Sequence, residues 1–192
     1  MNADDFAALL EQLDACTTAR SWARGRTSDE TWASCPRGDW LLWLAERMDA
    51  PEAPVRRAVV LAVCDCVELA LPIFARRRPN DERPRDAVAT ARRVALGDAT
   101  PDDARAAEAA AEAAAFDAYA GADSDRSFYF AETASDAAAA AALVARSAYA
   151  RYAADAALLA ARCFYPRHVE AHRNCADIVR QHIPRCPTGA LP

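Results

Sequence analysis

An alanine-rich segment from Ala131 to Cys163 constrains the fold of this chain more than any other feature. It contains neither glycine nor proline. Alanine has the highest intrinsic helix propensity because its side chain loses no entropy when a helix forms. We therefore expect one long helix here, or two nearly collinear ones, on the order of 50 Å in length. Because alanine leaves the helix surface almost bare, neighbouring helices can approach it closely.

The other segments also show helical periodicity. Between residues 55 and 75 the chain is apolar on almost every side, which is typical of a buried helix, and Pro72 should kink or break it. A chain of 192 residues, 53% of them hydrophobic, can bury one sizeable core. The expected fold is an all-α, single-domain bundle of about eight helices over residues 1–192, with an irregular tail from about residue 184.

Composition also narrows the class of function. The net charge is -5 and every basic residue except the three histidines is arginine, which argues against general nucleic-acid binding. The start of the chain lacks a basic n-region, and charges interrupt the alanine runs too often for a membrane span. We expect a cytoplasmic protein without a membrane partner. In that compartment its seven cysteines would be free thiols that pack as small apolar side chains.

Negative charge is concentrated between Asp98 and Asp136. This segment holds ten acidic residues and two arginines, a net charge of -8 in a chain whose total is -5. Such a run is either a solvated face or a docking surface for a basic protein, whose association it would accelerate. The candidate partner-binding residues are Asp102, Asp103, Glu108, Glu112, Asp117, Asp123 and Asp125.

All four tryptophans lie in the first quarter of the chain. They are Trp22, Trp32, Trp40 and Trp43. Large aromatic side chains at helical spacing predict an aromatic core that seals one end of the bundle. A site that stacks a ligand between the rings is the alternative.

Two polar constellations could support chemistry. Asp65 and Glu68, at i and i+3, could act as a general acid and base, but Arg57 and the arginines at 76–78 offer simple ion-pair partners. His168, His172 and Cys175 share one face of the last predicted helix and could bind zinc if Cys163 supplied a fourth ligand. Packing of that face against the core is the simpler interpretation. Cys64 and Cys66 have the wrong spacing for a zinc or redox motif and are interpreted as packing residues.

Two short motifs have a physical explanation that needs no reaction. In the first, Cys35–Ala45, Gly38 would permit a tight turn and Asp39 would cap the helix that carries Trp40 and Trp43. In the second, Cys175–Arg180, the apolar residues Ile178 and Val179 would face the core. Asp177 would pair with Arg173 or with an arginine of another helix. Both motifs are therefore expected to determine the fold.

With the Leu-Ala-Leu-Pro sequence at 69–72, these motifs resemble the immunity proteins of bacterial polymorphic-toxin systems, from about Asp14 to Pro184. The resemblance implies an all-α protein that binds and neutralises a cognate toxin and is not an enzyme, with no cofactor. It also implies a basic toxin, since an acidic face suits immunity proteins that cover a basic active site. It supplies no catalytic residues for this chain.

Two other functions remain open at this stage. One is a small metal-dependent enzyme or metal sensor built on Asp65, Glu68 and the histidines and cysteine of the last helix. The other is a non-enzymatic adaptor that associates through its alanine-rich helices. Common enzyme signatures such as a phosphate-binding loop or a His-Glu-x-x-His motif are absent from the sequence, which favours a binding protein.

Overall fold

The computed structural model describes residues 1–48, 53–120, 126–146, 152–164 and 167–187. This part of the chain is helical without strands, as expected, but it contains eleven helices instead of about eight. They are α1 (Ala3–Gln12), α2 (Thr17–Ala23), α3 (Ser28–Ser34), α4 (Gly38–Arg47), α5 (Ala53–Glu68), α6 (Leu71–Arg77), α7 (Arg83–Leu96), α8 (Pro101–Ala120), α9 (Arg126–Arg146), α10 (Ala153–Arg162) and α11 (His168–His182).

The alanine-rich segment does not form one helix or two collinear ones. Within it, α9 ends at Arg146 and α10 begins at Ala153, and these two helices pack extensively against each other. Collinear helices would touch only at their junction, so the chain reverses direction between them. The expectation of a central element is confirmed for α9, which contacts α5, α6, α7, α8 and α10.

Helices α8 and α9 form an antiparallel pair. The Ser135 hydroxyl of α9 donates a 2.7 Å hydrogen bond to the Ala111 carbonyl of α8. Arg146, further along α9, bonds Glu108, which lies nearer the start of α8. Buried alanines line both helices where they meet, so their backbones can approach closely. The end of α8 therefore lies beside the beginning of α9.

Proline and glycine set several of the helix ends. The apolar segment divides into α5 and α6, which are bent by 40°, and Pro72 lies in the first turn of α6, where its missing N–H costs no hydrogen bond. Gly97 ends α7 with a left-handed backbone, as expected for a C-terminal glycine. At the start of α8, the Thr100 hydroxyl accepts from the Asp103 N–H and the Asp103 carboxylate accepts from the Thr100 N–H.

A second group of helices completes the bundle. Helix α4 packs on α10 and α11, and α11 also packs on α5, so the buried residues of both groups form one continuous core. Among the described residues no single helix is long and apolar enough to cross a membrane; only the bent pair α5 and α6 passes by length and composition. Residues 183–187 are not helical, and 188–192 lie outside the described residues.

The cysteines behave as the sequence predicts. All seven are free thiols, and only Cys16 is exposed. Cys64 and Cys66 are completely buried in α5, and burial raises the pKa of the Cys64 thiol to about 12. These thiols are therefore protonated and pack as small apolar side chains.

Candidate partner-binding surface

Several of the predicted partner-binding carboxylates have structural partners. Glu108 is largely buried and pairs with Arg146 of α9. Asp117 bonds Arg83 of α7 at 2.7 Å. Asp103 belongs to the N-terminal cap of α8. Glu108 and Asp117 therefore hold α8 against its neighbours and are less available to a protein partner than the sequence suggested.

The other predicted carboxylates differ in their availability. Asp102 is exposed and pairs only with Arg105 in the next turn, at 2.8 Å, a surface contact of small energetic value. Glu112 is exposed and forms no hydrogen bond or ion pair with another described residue. Asp123 and Asp125 lie outside the described residues. The acidic surface that the structure describes therefore centres on Asp102 and Glu112.

Exposed aromatic side chains lie at one end of the α8–α9 pair. Phe116 is 70% exposed and Tyr119 is 62% exposed near the end of α8, and Tyr129 is 46% exposed near the beginning of α9. We call these three residues the aromatic end. Glu112, Phe116 and Tyr119 lie on one face of α8, at i, i+4 and i+7. This spacing was present in the sequence, but the sequence interpretation did not identify the aromatic end.

Acidic side chains stand close to the aromatic end. Burial raises the pKa of Asp136 in α9, and the nearby carboxylates of Glu132 and Glu112 raise it further. No described cation pairs with any of these three carboxylates.

Two arginines lie near this surface: Arg162 donates to the Tyr129 hydroxyl at 3.0 Å, and Arg146, which pairs with Glu108, also interacts with Glu112. The three carboxylates still outnumber these cations, so the surface beside the aromatic end would favour a cationic group.

Asp65 and Glu68 form an ion-pair network, but their partners differ from those expected. Arg92 of α7 bonds Asp65 at 2.8 Å and Glu68 at 2.6 Å. His182 at the end of α11 lies 2.6 Å from the other oxygen of Asp65. The expected salt-bridged face is confirmed, whereas Arg57 and the arginines at 76–78 are not the partners. The network ties α5 to α7 and α11.

The histidines and cysteine of α11 do not converge on a metal site. Within the described ranges, no group of three histidine, cysteine, aspartate or glutamate side chains could hold a metal ion. The His168 and His172 rings contact edge to face, while the Cys175 carbonyl accepts from the Cys66 thiol in the core. Burial lowers the pKa of His172, against the opposing effect of Asp39. His172 and Cys175 thus belong to the packed inner face of α11.

The two sequence motifs meet in space. A Cβ atom added to Gly38 would lie 2.6 Å from Cys175 Cβ and 2.7 Å from its carbonyl carbon. The Arg180 guanidinium donates to the carbonyls of Trp32 and Cys35. The motifs therefore form one junction between α11 and the start of α4. Both motifs therefore take part in helix packing, although several of their residues act differently from the prediction.

Three details of the motif interpretation are corrected. Gly38 is the first residue of α4 and has no left-handed backbone; it permits helix contact instead of a tight turn. Asp39 is not the cap of α4: it is buried, bonds Arg37 and lies 3.4 Å from His172. Asp177 pairs with Arg180, and not with Arg173.

The four tryptophans have two roles: one belongs to the core, and the other three border a cavity. Trp32 is 2% exposed, and its indole N–H donates to the Ile183 carbonyl at 2.9 Å. Trp22 and Trp40 contact edge to face. With Trp43 they border a cavity of about 250 Å³ between the first four helices and α10. The expected aromatic core is therefore present at Trp32, whereas ligand stacking by the other three tryptophans stays a prediction.

Comparison with known families adds what geometry alone does not provide. The family model described as "Imm-5 like putative immunity protein" matches residues 51–174, which is more than half of the 192-residue chain. The chain belongs to this immunity-protein family. Neither a curated protein nor a solved structure matches it. The resemblance inferred from sequence motifs is confirmed at the level of the family.

Membership in the immunity-protein family bears on the surfaces described above. The matched range begins before α5 and ends within α11, so it contains α8 and the aromatic end. It does not contain the first motif, and it stops one residue before the second. Family membership indicates a non-enzymatic role and, in general, a toxin as partner. The family therefore favours a protein-binding surface over an enzyme active site as the functional site of this chain.

Proposed function

We propose that this protein binds a cognate bacterial toxin of a polymorphic-toxin system and blocks it by forming a one-to-one complex. The match to the immunity-protein family carries this proposal. The proposed contact surface comprises the aromatic end together with Asp102 and Glu112 on the exposed side of α8. No reaction is required, since occupation of the toxin surface is sufficient to inhibit it.

The aromatic end has the properties of a binding hot spot. Tyrosine and other aromatic side chains dominate the energy of many protein interfaces because they bury a large area at a small entropic cost. Phe116 and Tyr119 are mostly exposed on a helix that is otherwise rich in alanine. In a complex, the small side chains around them would let the toxin surface approach the helix backbone. Phe116 and Tyr119 would then supply most of the binding energy.

The charge of this surface supports a basic partner. Burial and, to a smaller extent, the nearby carboxylates of Glu132 and Glu112 raise the pKa of Asp136, and an arginine or lysine of the toxin would relieve the repulsion among these carboxylates. Complementary charge accelerates association and adds specificity, and its effect decreases with ionic strength. The proposed partner therefore presents basic residues to α8.

The experiment requires the toxin, which we would capture from the host with this protein as bait, giving priority to products of adjacent genes. Calorimetric titration then measures affinity and stoichiometry. The double variant Phe116→Ala/Tyr119→Ala should weaken binding by about 30-fold or more, since removing one hot-spot side chain costs about 2 kcal/mol. Glu112→Gln should weaken binding mainly at low salt and should reduce its salt dependence.

Matched controls lie on α11. Val169 is 54% exposed and Glu170 is also exposed, so Val169→Ala and Glu170→Gln remove similar groups from another surface. They should leave the affinity unchanged. If the α11 variants weaken binding while the α8 variants do not, the proposed surface is wrong. If no protein toxin binds and no toxin activity is inhibited, the proposed function itself is wrong.

A further inference from the structure

The cavity beside the tryptophans is separate from the proposed toxin surface. It extends from fully buried residues, including Phe6 and Leu41, to exposed residues at its mouth, including Asp14 and Cys16. Cavities larger than a water molecule are few in packed proteins, and their walls lose dispersion contacts. A volume of about 250 Å³ exceeds the roughly 150 Å³ of an engineered apolar cavity that binds benzene.

The walls of the cavity favour a flat aromatic group. Trp22, Trp40 and Trp43 border it together with leucine and alanine side chains. Arg26, Arg37 and Arg47 stack on these three indoles and do not themselves line the cavity. Aromatic rings gain additional energy from edge-to-face or offset contacts with one another. The lining therefore fits a ring system of about the size of indole.

The charged side chains that line the cavity itself are carboxylates, whereas the three arginines contact its tryptophans without lining it. Asp14, Asp39 and Asp155 line it, and none of its described lining residues is basic. Asp39 already bonds Arg37, whereas Asp14 and Asp155 are exposed and form no ion pair with another described residue. At the start of α10, the Ala153 N–H donates a 2.7 Å hydrogen bond to Glu46. It is therefore not available to attract an anion.

From this geometry we propose that the cavity binds a small aromatic amine, with its ring between the tryptophans and its ammonium group beside Asp14 and Asp155. Aromatic contacts would hold the ring, and the carboxylates would hold the ammonium group by charge-assisted hydrogen bonds. This proposal does not depend on toxin binding. It assigns to the amino-terminal helices and α10 a ligand site that lies mostly outside the range matched by the family.

Three probes with the same ring test the charge preference: tryptamine, a cation; tryptophol, which is neutral; and indole-3-acetate, an anion. Calorimetric titration should give the tightest binding for tryptamine and the weakest for indole-3-acetate. We expect tryptamine to bind about five-fold more tightly than tryptophol, as for exposed ion pairs. Asp14→Asn/Asp155→Asn should abolish that difference without changing the affinity for tryptophol.

Cys16 reports the location of the bound probe. It is the exposed thiol of the chain and lines the cavity, so tryptamine should slow its alkylation by a maleimide. Ala19→Trp, which fills the cavity from α2, should abolish binding, with circular dichroism to confirm folding. Equal affinity for all three probes, no detectable binding, or unchanged alkylation of Cys16 with tryptamine bound would each overturn the proposal. The aspartate variant tests it even if Ala19→Trp fails to fold.

Discussion

Gly38 lies where the backbone of α11 leaves no room for a side chain. An added Cβ would lie within 3.0 Å of three atoms of Cys175 and Ala176, two of them backbone atoms, which cannot move without shifting the helix. We expect Gly38→Ala to destabilise the fold by about 2 kcal/mol, as is typical of overpacking. Urea unfolding measures this loss. Thr18→Ala, on the exposed surface of α2, is the control, and equal stability of the two variants would contradict the proposed close contact.

Thr31 is a position where a substitution should stabilise the fold. Its side-chain hydroxyl is buried and has no hydrogen-bond partner among the described residues. A buried hydroxyl without a partner costs about 1–3 kcal/mol, so Thr31→Val should raise the free energy of unfolding by about 1 kcal/mol. Thr133→Val is the matched control, because the Thr133 hydroxyl donates to the Tyr129 carbonyl at 2.7 Å. The Thr133 variant should show no gain; a loss at Thr31 would contradict the assignment.

Residue roles were the least predictable part of the sequence interpretation. The sequence identifies Gly38, Asp39 and Asp177 as special, but their neighbours come from distant segments. Local reasoning therefore assigned Gly38 to a turn and Asp39 to a cap. Asp65 and Glu68 were predicted to form ion pairs and do so, with Arg92 and His182. Which arginine or histidine meets a carboxylate depends on helix packing, which periodicity does not determine.

At the scale of the helices, the first residue of α10 is bonded by a carboxyl group of α4. Glu46 accepts from the Ala153 N–H, and burial raises the Glu46 pKa to about 8. The folded state therefore retains this proton to higher pH than the unfolded chain, whose glutamate has a pKa of 4.5. Its contribution to stability should be greatest below about pH 4.5 and should be lost as the pH rises towards 8.

Glu46→Gln tests this linkage. The variant keeps an acceptor for Ala153 but cannot ionise, so its stability should fall less than that of the wild-type protein between pH 5 and 8. Comparing the two proteins by urea unfolding cancels the opposite trend expected from His172, whose pKa is lowered. Glu170→Gln, which changes an exposed residue of α11, should retain the wild-type dependence of stability on pH. If the free energy of unfolding of Glu46→Gln changed with pH as that of the wild-type protein does, Glu46 would not be the group that retains a proton in the folded state.

The helix break expected at Pro72 is present, since α5 ends at Glu68 and α6 begins at Leu71. Gly97 and the Thr100–Asp103 cap likewise mark helix ends that their residue types favour. The alanine-rich segment was mispredicted because helix propensity is almost uniform along it. Helices α9 and α10 lie side by side in the bundle instead of in line, a tertiary effect that overrides propensity.

At the scale of the whole molecule, the sequence predicts an all-helical bundle with segregated negative charge, and both features lead to the proposed function. In the structure these carboxylates have two different roles. Glu108 and Asp117 pair with arginines of neighbouring helices, whereas Asp102 and Glu112 are exposed. The aromatic end was missed because its exposure depends on how α8 and α9 pair. The family match indicates a toxin as partner in general, and the assignment of this surface to the toxin is our proposal.

Hydroxyl-radical footprinting of the complex with the captured toxin tests the central claim most directly. Phenylalanine and tyrosine oxidise readily when exposed, so toxin binding should reduce oxidation of Phe116, Tyr119 and Tyr129. Met1, 38% exposed, should oxidise equally in the free and bound protein. Unchanged oxidation of the three aromatic residues in a fully formed complex would contradict the claim that this protein neutralises its toxin through α8.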